Sequence, residues 1–263
     1  MTSKPLIIGH RGASAVTPEN TMAAFRRALE AQADGVEFDV RLASDGIPVI
    51  IHDETLHRTG LTKGRVADFT AAQLQQVDVG SWFARNNNFT VAELSRETVP
   101  TPHQLFDLFL DNQALLYLEM KCVSSEVARL ADAICQLLKN TSVKDRVIVE
   151  CFELAAIEKV KRTDPTIRTA ALFEPNLSTL PLLVSGQRFV EKAKAVGADE
   201  IALHRNLASD RVVAIIKTAG FKVGVWTVDD PQWISRSQAI GIDVLITNDP
   251  AKLISQRDRV RLD

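Results

Sequence analysis

Short apolar runs alternate with longer amphipathic stretches along most of the chain. PLIIG (5–9) reads as a first strand, and Met22, Phe25, Ala28 and Leu29 recur at helical spacing within a helix predicted over 21–32. Asn20 is the expected N-cap of that helix, because its side-chain oxygen can accept a backbone N–H that the first turn leaves unpaired. A second strand follows at 36–40 (VEFDV) and a third apolar run at 48–53 (PVIIHD). The link between them contains Asp45-Gly46, a dipeptide that suits a tight hairpin turn. Beyond residue 100, strands are predicted at 114–120, 146–151, 167–172, 199–203, 222–227 and 243–247. Helices are predicted at 102–111, 124–139, 153–163, 187–196, 208–219, 230–239 and 249–256, with Gly220 and Gly241 at two helix C-termini. Counting the hairpin once gives eight β units. Regular β–α alternation implies a parallel α/β architecture and leaves open whether the sheet closes into a barrel or stays open and doubly wound. Residues 54–99 break the rhythm: rich in Gly, Asn, Thr and charge, they read as an excursion outside the core.

Acids inside the apolar strands carry the chemistry. Successive side chains of a strand point to opposite faces. Val36, Phe38 and Val40 therefore share one face of VEFDV, and Glu37 and Asp39 share the other. In LLYLEMK (115–121), Leu118 and Met120 oppose Glu119 and Lys121. Side-by-side carboxylates repel and are costly to bury, and a hard divalent cation held by oxygen ligands relieves both problems. The competing reading is an ordinary edge strand with one wet face. His10 and His52 each end an apolar run, where a barrel would place its active site, and imidazoles titrating near neutrality can divide general acid and base work. Arg11 can neutralise a phosphoryl oxygen, and Gly12 permits close backbone approach. His57, His103 and His204 have no evident partner and are assigned to surface or internally satisfied positions. Trp226 is either an apolar wall for substrate or a rim packing residue.

Composition narrows the field. An apolar fraction of 46% over 263 residues supports a large buried core, and a formal charge of -2 gives no electrostatic case for nucleic acid or an anionic membrane. The three cysteines (Cys122, Cys135, Cys151) are odd in number and lack C-x-x-C spacing, so reduced thiols are expected rather than a disulfide framework or structural zinc. The apolar stretch Leu6–Ile8 is too short for a signal-peptide core, and nowhere do 18 apolar residues run together. A soluble cytoplasmic protein without membrane insertion is therefore expected. Neither a G-x-G-x-x-G nor a P-loop motif occurs.

GHRGAS (9–14), PENT (18–21), GVEFDVRLASDGIPVIIHDETLHRT (35–59), YLEMK (117–121), VWTVDDP (225–231) and DVLITNDP (243–250) occur in that order. Together they resemble the glycerophosphodiester phosphodiesterase family over nearly the whole chain. The resemblance implies a TIM-type (β/α)8 barrel as a single domain over 1–263, with a small insertion after the second strand at about 54–99. It implies His10 and His52 as the acid–base pair, with Glu37, Asp39 and Glu119 as ligands to one divalent cation (Mg2+ or Ca2+, with Mn2+ as a third option). Arg11 and Lys121 would then hold the phosphate, and Trp226 would line the substrate pocket. The implied substrate is a small glycerophosphodiester, cleaved to glycerol 3-phosphate and an alcohol by attack of the glycerol 2-hydroxyl, through a cyclic phosphate that water opens. Which histidine is the base, and the oligomeric state, have no signature in the sequence. The chain departs from the family pattern at Glu150, where a small residue is common, and at Gly60, Pro102 and Asn248. Two other readings are a phosphatidylinositol-phospholipase-C-like activity and a barrel that binds a phosphodiester without turning it over.

Overall fold

The computed structural model describes residues 4–87, 97–175 and 185–259; the part of the predicted excursion at 88–96 lies outside the described residues. Nine strands form one sheet: β1 (Leu6–His10), β2 (Gly35–Leu42), β3 (Pro48–Ile50), β4 (Leu115–Met120), β5 (Val147–Cys151), β6 (Arg168–Phe173), β7 (Glu200–His204), β8 (Lys222–Trp226) and β9 (Val244–Thr247). Their order is β1-β9-β8-β7-β6-β5-β4-β2-β3, and a further β1–β2 pairing closes the ring. In an open sheet β1 would be an edge. Here it takes β9 on one side and β2 on the other, both parallel. Eight parallel strands with interleaved helices make a (β/α)8 barrel of the TIM type. Gly35 permits the close approach of β2 to β4: a Cβ there would lie 2.2 Å from the Leu115 carbonyl oxygen.

Strand alternation sorts the side chains as the sequence pattern implies. Val36, Phe38 and Val40 of β2 and Leu116, Leu118 and Met120 of β4 face outward into the core beneath the helices. Phe25 of the helix Met22–Glu30 meets Phe38 edge-to-face at 6.2 Å. Burying each such side chain contributes roughly 1.5–3 kcal/mol. The inward positions form a separate cluster of Ile8, Tyr117, Ile148, Ala170, Val244 and Ile246, which fills the barrel interior. Gly220 and Gly241 take left-handed backbone at the ends of the helices Asp210–Thr218 and Gln232–Ile240.

Three local expectations are corrected. Thr21, not Asn20, caps the helix Met22–Glu30: its side chain accepts from the Ala24 N–H, and Asn20 sits one residue earlier with a left-handed φ of 57°. The third apolar run is shorter than expected. β3 ends at Ile50 and runs antiparallel to β2, outside the barrel ring, so His52 does not end a barrel strand. It is the antiparallel return of the Gly46 hairpin that carries His52 back to the barrel mouth, with the Ile51 N–H donating to the Asp39 carbonyl. The excursion has its own small core, in which Leu56, Val66, Leu74, Val79 and Val99 pack against Val49 and Ile51. Among the described residues no helix is long and apolar enough to cross a membrane.

Candidate active site

Strand register assembles the site. His10 of β1 is the lateral neighbour of Glu37 in β2, Asp39 that of Glu119 in β4, and Glu119 that of Glu150 in β5. Glu37 is 1% exposed, Asp39 0%, Glu119 7% and Glu150 1%, which discards the wet-edge reading of these acids. One oxygen from each of Glu37, Asp39 and Glu119 lies within 4.8 Å of the others. Glu37 Oε1, Asp39 Oδ1 and Glu119 Oε1 are buried without a hydrogen bond. Lys121 Nζ stands 3.1 Å from Asp39 Oδ1 and 2.5 Å from Glu119 Oε1, close enough to attract but not at hydrogen-bonding angles. Three buried carboxylates with open lone pairs are a donor set that fits a hard divalent cation.

The carboxylates do not behave alike. Burial works against the Asp39 charge, but Lys121 and Arg11 overcome it and hold its pKa below the usual range. Burial pushes Glu37 well above its ordinary value, reinforced by Asp39 and Glu119. Burial likewise lifts Glu119 to about 7, against the pull of Lys121 and with repulsion from Asp39. Repulsion of this kind is what a bound cation would relieve.

Cations and imidazoles close around these acids. Arg11 adopts a left-handed backbone (φ 55°), which lets its N–H donate to Glu37 Oε2 at 2.9 Å while its guanidinium reaches Asp39 Oδ2 at 3.1 Å and Glu19 Oε1 at 2.7 Å. Gly12 permits close backbone approach to the helix Met22–Glu30: a Cβ there would lie 2.6 Å from the backbone of Ala24. His10 Nδ1 is 2.7 Å from Asn248 Oδ1. Asn248 Nδ2 donates to Asp229 Oδ2 at 2.8 Å, which turns the amide oxygen toward the imidazole and makes His10 Nδ1 the protonated nitrogen. His10 Nε2 then faces the acids, 3.8 Å from Glu37 Oε2. Burial, aided by Arg11, lowers the His10 pKa to about 4. His52 Nδ1 pairs with Asp53 Oδ1 at 2.7 Å, and its carbonyl accepts from Arg41 Nε. Burial lowers its pKa too, opposed by Asp39.

His10, Arg11, Glu37, His52, Glu119, Lys121 and Trp226 line one cavity of about 260 Å3, and Asp39 lies directly behind them. The sequence profile of the glycerophosphoryl diester phosphodiesterase family matches residues 10–252. The chain belongs to this family. It is 33% identical over 256 residues to a glycerophosphodiester phosphodiesterase of Caldanaerobacter subterraneus subsp. tengcongensis, covering 96% of this chain and 97% of that one. Among solved structures, a phosphodiesterase of Oleispira antarctica in complex with the product sn-glycerol-3-phosphate matches with a TM-score of 0.85, 28% identity and 97% of each chain. A glycerophosphodiester phosphodiesterase of Thermotoga maritima matches with a TM-score of 0.73, 25% identity and 100% of each chain. The enzyme class is thus phosphodiester hydrolysis on glycerophosphodiesters.

In this glycerophosphoryl diester phosphodiesterase several further residues bear on the site. Asn20 is buried and holds Asp39 from two sides. Arg58, from the excursion, grips Asp53 through Nε at 2.7 Å and Glu19 through both Nη atoms at 2.7 Å, tying the His52 segment to the loop after β1. Its guanidinium also lies 5.7 Å from the Trp82 ring centroid. Glu19 and Asn20 stand in the PENT motif and Asp53 beside His52, so their positions were visible, but no spacing rule assigns their contacts. His204 is not an isolated surface histidine. Its ring meets Trp226 edge-to-face at 5.1 Å, and its Nδ1 accepts from the Asn206 N–H. Among the described residues Glu150 forms no ion pair, and Lys121 pairs with Asp39 and Glu119.

Proposed function

We propose that this enzyme hydrolyses glycerophosphodiesters to glycerol 3-phosphate and an alcohol with the help of one divalent cation, His10 and His52 acting as general base and general acid. The observation that carries the reading is the convergence of three mutually close buried carboxylates, two cations and two imidazoles on one cavity at the barrel mouth. Glu37, Asp39 and Glu119 would hold the ion, which can be Mg2+, Ca2+ or Mn2+ on donor chemistry. When bound, it supplies positive charge to the non-bridging phosphoryl oxygens. Arg11 and Lys121 add to that charge and orient the phosphate.

We assign the two histidine roles from the hydrogen bonds each imidazole makes. His10, neutral with its lone pair on Nε2, is suited to take the proton of the attacking glycerol 2-hydroxyl. His52 would protonate the departing alcohol from Nε2 as the imidazolium, the form that burial disfavours and that Asp39 and the Asp53 carboxylate at Nδ1 favour. Water then opens the cyclic phosphate with the roles reversed. Trp226 offers the carbon frame of the substrate an apolar wall. We read the chain as one domain with an insertion at about 54–99, a reading supported by Arg58 reaching back to Glu19. The proposed location is the cytoplasm, supported by the free thiols Cys122, Cys135 and Cys151.

A coupled assay for glycerol 3-phosphate tests the reading. After chelation, glycerophosphocholine, glycerophosphoethanolamine and phosphatidylinositol are each supplied with Mg2+, Ca2+ or Mn2+. Divalent-dependent release from the glycerophosphodiesters is expected. Phosphatidylinositol cleavage is followed by diacylglycerol release, since it yields no glycerol 3-phosphate; cleavage of that lipid alone would favour the phospholipase reading, and calorimetric binding without turnover the non-catalytic one.

A further inference from the structure

Two acids lie buried in the barrel besides the three of the cation cluster, and they differ in one respect. Glu200, 3% exposed, has both oxygens satisfied: Tyr117 Oη donates to Oε2 at 3.0 Å and Arg168 Nη2 to Oε1 at 2.7 Å. Glu150, 1% exposed, has a buried Oε2 that no group among the described residues satisfies. A buried polar atom left without a partner is destabilising, and a native one calls for a ligand or a role. Glu150 stands outside the set of carboxylate oxygens that lie within 4.8 Å of one another, so it is not a fourth member of the cation cluster. It lines the same cavity, on the β5 wall beside Glu119.

That wall has a matching orphan. Trp226 Nε1 is buried and also lacks a partner among the described residues, so outside the cation cluster this wall carries one unpaired acceptor and one unpaired donor. Phe152, two residues beyond Glu150, meets the Trp226 ring edge-to-face at 5.4 Å; Leu172 and Ile246 add apolar surface, and Glu174 and Thr227 complete the lining on this side. Glu150 neighbours Glu119 across the β4–β5 pair, and Lys121 Nζ lies 5.8 Å from the Phe152 ring centroid, so this wall adjoins the phosphate-binding groups. A diester with its phosphoryl group between Arg11 and Lys121 therefore turns one ester substituent toward Glu150 and Trp226. A cationic substituent would satisfy the carboxylate but not the indole N–H. An anionic one would satisfy only the indole. A hydroxyl both donates and accepts, and the C–H groups of a polyol suit the apolar remainder.

We propose that Glu150 is a specificity-determining residue that accepts a hydrogen bond from a hydroxyl of the substrate's polyol moiety, with Trp226 Nε1 donating to that moiety. The inference rests on the phosphodiesterase reading above. It also explains why a carboxylate occupies a position where a small side chain would leave the cavity floor without an acceptor.

The test compares two diesters with the same leaving alcohol, one built on glycerol and one on 1,2-propanediol, which lacks the terminal hydroxyl. The wild-type enzyme with its divalent ion should prefer the glycerol compound by about 10-fold in kcat/KM, the scale for losing one buried hydrogen bond. In Glu150→Leu that ratio should collapse to within about threefold of unity, and Glu150→Gln should keep part of it. A ratio on one preparation is independent of the fraction of protein folded. Calorimetric binding of glycerol 3-phosphate against 1,2-propanediol phosphate needs no turnover and should show the same preference and the same loss. Wild-type protein that discriminates in binding but turns over neither diester would overturn the phosphodiesterase reading and keep the Glu150 assignment. A Glu150→Leu variant that discriminates as well as wild type, or that changes only its divalent-ion requirement, would overturn the assignment itself.

Discussion

Asn20 grips Asp39 from two sides: its Nδ2 donates to Asp39 Oδ2 at 2.6 Å, and its Oδ1 accepts from the Asp39 N–H at 3.2 Å. Both residues are buried, and Asn20 adopts its left-handed backbone to make the contact. The pair fixes which Asp39 oxygen stays open toward Glu37 and Glu119.

Asn20→Ala removes both bonds. Divalent affinity should fall about tenfold, the usual size for losing a group that orients a metal ligand. Stability should fall by roughly 2 kcal/mol through the buried Asp39 atoms left unpaired. Calorimetric ion titration and urea unfolding check the two effects. Unchanged affinity would show that Asn20 does not orient Asp39.

His10→Ala and His52→Ala should each lower kcat by about 10²–10⁴-fold, the range for general acid–base groups. One divalent ion should still bind, because neither imidazole belongs to the cation cluster. Initial rates and ion titration on the same preparations check this. A variant with near-normal kcat would remove that histidine from the mechanism.

Asn248→Asp replaces a neutral acceptor for His10 Nδ1 with a negative one. A carboxylate there stabilises the imidazolium and raises the His10 pKa from about 4. If His10 acts as a base, the acid limb of the kcat/KM profile moves to higher pH. A pH–rate profile of wild type and variant checks the direction, and coincident acid limbs would mean that this limb does not report His10.

Arg58 controls acid stability. Its hydrogen bonds are the main cause of the low Asp53 pKa, about 2, with burial opposing and His52 assisting. The folded value lies below the unfolded one of about 3.9, so this stabilisation is complete above about pH 4 and lost as pH falls through about 2. The groups are partly exposed, so screening limits the contribution to about 1 kcal/mol. The same guanidinium overcomes burial to hold Glu19 low. Arg58→Met should therefore lose less stability than wild type between pH 5 and pH 2.5, measured by urea unfolding. Equal losses would contradict the assignment.

The parts of this enzyme that follow periodic rules were legible in the sequence. Strand alternation alone put Glu37 and Asp39 opposite Phe38, and Glu119 and Lys121 opposite Leu118, and the structure keeps those faces. Closure was not legible in the periodicity, because each strand of an open parallel sheet has the same apolar signature as one in a barrel; it came from the family resemblance, and the deciding β1–β2 contact is a matter of register. Asn20 was misread for a related reason. Capping is a local preference, whereas its partner Asp39 lies 19 residues away in the next strand. His52 was found at the right place by the wrong route, since the hairpin return rather than a barrel strand end delivers it. The Arg58–Glu19 link joins residues 39 apart on irregular segments, where no spacing rule operates.

The central claim is that Glu37, Asp39 and Glu119 hold one divalent cation. Calorimetric titration of chelated protein with Mg2+, Ca2+ and Mn2+ tests it directly, with the Glu37→Gln, Asp39→Asn, Glu119→Gln triple variant as the comparison. One ion per chain in the wild type, and none in the triple variant, is the result expected. No binding of any of the three ions by the wild type, or the same stoichiometry and affinity in the variant, would contradict it.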